Sequence, residues 1–153
     1  MKIRWTSVFA NIARFLVIGG INLTASSLAL AENWVEVTRS GGGDIYYYDA
    51  ASVVKSGAGQ VTYSAKVEFV SSASIEQAIQ ARRALGLGTK GYSNLKFSFA
   101  LEEIDCKLRK VRNLAGMAVD RNNKVLDEHK AEGPWNDIRV GTVHDRFHKL
   151  LCH

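Results

Sequence analysis

Three patterns of apolar and polar positions succeed one another along the chain, and each predicts a different element. The first joins a positive start, Lys2, Arg4 and Arg14, to an apolar run from Phe15 to Leu30. Asn22, Thr24, Ser26 and Ser27 break that run before it reaches the roughly 20 apolar residues that a membrane-spanning helix needs. Ala29-Leu30-Ala31 then supplies small residues at the positions a leader peptidase reads, and Glu32 opens a polar chain. The expectation is a cleaved secretory signal peptide over residues 1–31. The second pattern has period two. Val61, Tyr63, Ala65, Val67 and Phe69 alternate with Thr62, Ser64, Lys66 and Glu68, as a strand with one buried face does. Trp34 to Val37, Ile45 to Tyr48 and Leu95 to Cys106 read as further strands. Lys107 to Arg112 reads as still extended.

The third pattern is helical. Ile75, Ala78, Ile79, Arg82 and Leu85 fall on one stripe, and Ser74 with Gln77 makes a capping-box start. Gly86 and Gly88 stop this helix. Asp145 to Cys152 predicts a closing helix, with Val143, Phe147, Leu150 and Leu151 on its apolar side. Turns separate the elements. Ser40 to Asp44 is glycine-rich, Asp49 to Val53 reads as a capped turn, and Arg121-Asn122-Asn123 joins Leu114–Val119 to Lys124–Glu128 as a hairpin. The predicted class is α+β: an antiparallel β-sheet packed with one main helix, and a C-terminal helix tethered by a disulfide. Residues 32–153, 122 in number, suit a single domain.

Charge changes the picture once the leader is set aside. The formal net charge is +5, but three of the 20 basic residues and none of the 15 acidic ones lie in residues 1–31. The remainder stands at +2, which removes any whole-chain argument for nucleic acid or a membrane surface. Cys106 and Cys152 are the two cysteines, both in the exported part. An even count in an oxidising compartment reads as one disulfide, and neither cysteine has the C-x-x-C spacing of a zinc or redox site. No cysteine follows the leader to accept a lipid, so neither a lipid anchor nor a transmembrane segment is expected. The place is periplasm, cell surface or medium.

Lys107, Arg109, Lys110 and Arg112 put four cations within six residues. As a site they would dock an acidic partner; as structure they would guard an edge strand against aggregation. Tyr46, Tyr47 and Tyr48 must alternate between faces, which leaves at least one exposed as contact surface. Trp34 and Trp135 read as core. His144 and His148, four apart on the closing helix, could share a metal, but no H-E-x-x-H accompanies them and a solvated face is the reading taken. No G-x-S-x-G elbow or phosphate loop is present. Glu102 and Glu103 would point to opposite faces of a strand, so they form no acid/base pair. The expectation is no catalysis, no metal and no cofactor.

The order of features resembles a known family. Trp34 opens the domain, Tyr47-Tyr48-Asp49 precedes Ser52, and a Val-rich strand carries Lys66. Glu103-Ile104-Asp105-Cys106 leads into the basic segment. The hairpin Val119 to Val125, Trp135-x-x-Ile138 and a closing Cys152 follow. This set resembles the surface-adhesin protein E family of Gram-negative bacteria over nearly all of residues 33–153. The resemblance implies an antiparallel sheet packed with helix and a disulfide tying the carboxyl end to it. It also implies a non-enzymatic role in adhesion, with host extracellular-matrix or serum proteins of the vitronectin, laminin and plasminogen type as partners. The alternative is a periplasmic envelope module that binds a small ligand or a protein partner and has no adhesive role.

Overall fold

The computed structural model describes residues 32–130 and 132–153. The expected signal peptide over 1–31 lies outside the described residues. Eight strands form one sheet: β1 (Trp34–Arg39), β2 (Ile45–Asp49), β3 (Val54–Lys55), β4 (Gln60–Glu68), β5 (Leu95–Asp105), β6 (Lys110–Asp120), β7 (Val125–Lys130) and β8 (Asn136–Asp137). Their order is β1-β2-β4-β5-β6-β7, with β3 beside β4 and β8 beside β6. Every pairing is antiparallel. Among the described residues two α-helices complete the α+β fold, α1 (Ser72–Ala84) and α2 (Val143–Leu151).

Register decides which side chains share a face. Ala65 stands opposite Ala100, and Ala100 opposite Gly116; Val67, Ser98 and Ala118 form the next row. Val61 and Tyr63 continue the same face on β4. Both helices pack there. Phe147 and Leu151 of α2 bury against Val61, Tyr63, Ile104, Val111 and Ile138. Ile75 and Ile79 of α1 bury against Tyr92, Leu95 and Ala118. Each such side chain contributes ~1.5–3 kcal/mol by leaving water. No helix among the described residues covers the opposite face.

Local chemistry places the helices. Ser71, not Ser74, caps α1, accepting the Ser74 amide. Ser74 sits three residues inside, where its hydroxyl donates to Asp44 Oδ1 at 2.7 Å. The Val70 amide reaches the same oxygen at 3.0 Å. The buried Asp44 carboxylate thus fastens the start of α1 to the β1–β2 turn. Thr142 caps α2 through the Asp145 amide. The disulfide forms between Cys106 and Cys152, with Cα atoms 5.5 Å apart, and ties the end of α2 to the end of β5.

Three local expectations are corrected. Residues 107–109 are not extended: Asp105 Oδ1 accepts the amides of Lys107 and Leu108, and Arg109 takes φ +52 to finish a turn. The carboxylate offers the backbone a closer partner than a ladder does. Leu150 faces outward at 48% exposure, since the stripe that meets the sheet passes through Phe147 and Leu151. Trp34 and Trp135 are half-buried rather than core. They belong to the face that no described helix covers.

Candidate functional site

The uncovered face is built mainly from β5, whose apolar side points away from the helices. Phe97, Phe99 and Leu101 lie on it, paired with Val119, Met117 and Ala115 of β6. Lys66 is opposite Phe99 across β4–β5, and Tyr47 opposite Lys66 across β2–β4. Phe97, Phe99, Leu101 and Met117 all remain partly exposed. Trp34 tilts against Phe99 with ring centroids 5.9 Å apart, and Phe97 does the same at 5.9 Å. The Lys66 ammonium sits 4.5 Å from the Trp34 ring centroid and 4.4 Å from that of Tyr47. A cation over aromatic faces is attracted by their quadrupoles, and partial removal from water strengthens the attraction. Burial pulls the Lys66 amine below its usual range, against the raising effect of Glu68 and Glu32. Burial, followed by the Glu68 and Glu36 charges, pushes the Tyr47 phenol up. An aromatic platform with an embedded cation is the composition from which protein-binding hot spots are made.

The four clustered cations do not form one patch. Lys110 and Arg112 point to the uncovered face, at its far end beside Trp135. Arg112 stacks 4.7 Å from the Trp135 ring centroid and bonds Glu103 and Glu132, each at 2.6 Å. Lys110 lies 3.7 Å from Asp137. Lys107 is exposed in the turn, its stem near Gly59. Arg109 turns the other way. Its guanidinium meets the buried Asp145 carboxylate at 2.7 Å and His148 Nδ1 at 3.3 Å. The tyrosines divide too: Tyr47 lies on the uncovered face, Tyr46 and Tyr48 on the helix-bearing one.

Neither histidine lies on the solvated face expected of them: His148 is buried, His144 is half-buried, and the two are held separately. His148 Nε2 lies 3.1 Å from the Cys106 carbonyl, so Arg109 and that carbonyl select the tautomer with hydrogen on Nε2. His144 Nε2 lies 3.3 Å from Glu102 Oε1. The bond with Glu102 raises the His144 imidazole above its usual range despite burial. Among the described residues no group of three or more histidines, cysteines or carboxylates could hold a metal ion.

Lys66, Phe97, Phe99 and Met117 are contact candidates that the sequence pattern left unassigned, and Trp34 is one that it read as core. Their signal is the juxtaposition of Lys66, on the polar side of β4, with Phe97 and Phe99, on the apolar side of β5. It becomes visible only with the strand register.

The arrangement defines a class: a small, disulfide-tied α+β domain that offers one aromatic sheet face for contact. The chain belongs to the surface-adhesin protein E family, whose sequence model matches residues 34–153. No curated protein and no solved structure matches it. Family membership supports a surface-adhesin type of binding role, toward host proteins in general, and an exported or cell-surface place. Among the described residues no helix is long and apolar enough to cross a membrane.

Proposed function

We propose that residues 1–31 export the chain and that residues 32–153 act as a single non-enzymatic binding domain. The domain docks a host extracellular-matrix or serum protein, of the vitronectin, laminin or plasminogen type, through its uncovered sheet face. The observation that carries the reading is that face: Trp34, Tyr47, Phe97 and Phe99 gathered around Lys66 with no described helix over them. Large rigid rings give contact area at low entropic cost, and the exposed Lys107 adds attraction for an acidic segment at one end, where Lys110 and Arg112 are already answered by Asp137, Glu103 and Glu132. Arg109 contributes indirectly by holding α2 beneath the turn.

The test is binding of the chain from Glu32 onward to immobilised vitronectin, laminin and plasminogen. Tyr47→Ala is expected to weaken capture about tenfold, as loss of a hot-spot ring does. Lys107→Ala is expected to slow association and reduce its salt sensitivity. Undiminished binding by Tyr47→Ala would remove the face from the account.

A second reading, a periplasmic module for a small ligand or protein partner, is favoured by a cleft between α2 and the sheet. Protease shaving of intact cells, with a periplasmic marker as control, separates the two. Loss of the protein while the marker survives supports surface display; survival of both supports the periplasmic module.

A further inference from the structure

The helix-bearing face is not filled beside the start of α2. Between that helix and the sheet lies a cleft of about 420 Å³. Its floor is made of small side chains, because Ala65, Ala100 and Ser98 occupy the positions where the neighbouring rows carry large ones. Tyr46 walls one side; Val143, His144 and Phe147 wall the other. At the water volume of ~30 Å³ per heavy atom, the space holds roughly a dozen non-hydrogen atoms.

Two acceptors with open positions stand at the cleft, Glu102 and Asn113. Glu102 is only 13% exposed, and its carboxylate takes bonds from Tyr63 at 2.5 Å and from His144 at 3.3 Å. A carboxylate has about four acceptor positions, so two remain unfilled. Directly across the β5–β6 ladder stands Asn113. Its Oδ1 is buried and meets no donor. A buried oxygen left unpaired costs free energy, and a ligand donor placed against it recovers that cost. Lys66 lines the cleft without contributing charge, since its ammonium lies on the opposite face over Trp34 and Tyr47. His144 is the other titratable wall group, and it already answers Glu102.

The geometry points to a site for a primary ammonium group carried on an aromatic or aliphatic body. The ammonium donates to the open positions of Glu102 and, once the Asn113 side chain turns toward the cleft, to its fully buried Oδ1. The body lies on Ala65 and Ala100 between Tyr46 and Phe147. This chemistry has two sources: a free small amine, or a lysine side chain of a partner. The site is separate from the aromatic face, so it stands or falls independently of the adhesive reading.

The experiment is a solution NMR titration of the isotope-labelled chain from Glu32 onward. The probes are phenethylamine, the neutral 2-phenylethanol, phenylacetate, and a short peptide with one internal lysine and a blocked amino terminus. Phenethylamine is expected to shift the amides of Ala65, Ala100, Asn113 and Val143 saturably. The alcohol should bind at least about tenfold more weakly and the acid not at all. Asn113→Ala should weaken the amine about tenfold while leaving the thermal midpoint unchanged, because it breaks no bond within the fold. Glu102→Gln should weaken it further, and Asn113→Ala keeps the test valid if that variant fails to fold. Amine binding should also move the His144 titration downward as the ligand competes for Glu102, which a purely structural pair would not do. Response to the peptide assigns the ammonium to a partner's lysine; response to phenethylamine alone assigns it to a free amine. Absence of saturable shifts at the cleft, equal binding of the alcohol, or an Asn113→Ala variant that binds as the parent does would overturn the proposal.

Discussion

Opening the Cys106–Cys152 bond, as the double variant Cys106→Ala/Cys152→Ala, is the perturbation whose size follows most directly from the structure. The bond spans 46 residues and encloses β6, β7, β8 and α2. The chain-entropy relation for a loop of that length gives about 4 kcal/mol at 25 °C, all of it from the unfolded state. Other ties keep the folded helix in place when the bond is absent. His148 still meets the Cys106 carbonyl, Asp145 still meets Arg109, and Phe147 still stacks on Tyr63 with centroids 5.2 Å apart. The native spectrum should therefore be retained while stability falls. For a domain of this size, about 4 kcal/mol corresponds to a midpoint lower by roughly 16 °C. The assay is thermal and urea unfolding of the parent, oxidised and reduced, beside the double variant. The urea dependence should also steepen, since the uncrosslinked chain exposes more surface on unfolding. Unfolding free energies that agree within about 1 kcal/mol would refute the reasoning, because the loop-closure term would then be absent.

Tyr63→Phe removes the donor to buried Glu102 and should cost about 1.5–3 kcal/mol in urea unfolding; an unchanged midpoint would mean that Glu102 finds another donor. Phe147→Ala empties the space over Tyr63 and should cost about 3–5 kcal/mol by the same assay. His144 has its folded pKa raised, so its contribution is fully present below the unfolded value near 6.5 and fades as pH rises through the folded one. NMR titration should find the raised value, and His144→Gln should flatten the small loss of stability over that range. Asp145 behaves oppositely. Lys149, then Arg109 and the Gly141 amide, hold its carboxyl well below the usual range, so its contribution is present above about pH 3.9 and lost only as pH falls through the depressed value. Asp145→Asn should therefore unfold more easily at pH 7 and show less extra loss in strong acid.

The periodicity of β4, the hairpin around Arg121–Asn123 and the closing helix were legible because each is a local pattern. Alternation reports a strand, and a three- or four-residue stripe reports a helix, without knowledge of neighbours. The start of α1 was misplaced because Ser71 and Ser74 are both good caps, and the choice depends on Asp44, distant in sequence, accepting from Ser74. The turn at Lys107 was missed for a similar reason: Asp105 satisfies two amides that a strand would have paired across the sheet. Arg109 could not be sorted from Lys110 by composition. Its positive φ turns it toward α2, where the buried Asp145 waits.

The candidate sites share one cause, the disagreement between β4 and β5 over which side is apolar. On β4 the large apolar residues Val61 and Tyr63 face the helices. On β5 only Leu95 and Ile104, near its two ends, do so at full burial, while Phe97, Phe99 and Leu101 face away. Had the two strands agreed, the helices would have closed over one continuous apolar side and water would have met a polar one. Their disagreement leaves rings on the side without a described helix. It also leaves Ser98, Ala100 and Glu102 on the floor of the cleft beside α2. The uncovered face and the cleft are thus two consequences of one register, and an exchange on β5 should affect both. Phe99→Thr together with Ala100→Leu would diminish the platform and fill the cleft floor. Loss of matrix-protein capture and of the amine-induced shifts in that variant, with the fold retained, is the expected outcome. Retention of both would disconnect the sites from the strand that unites them here.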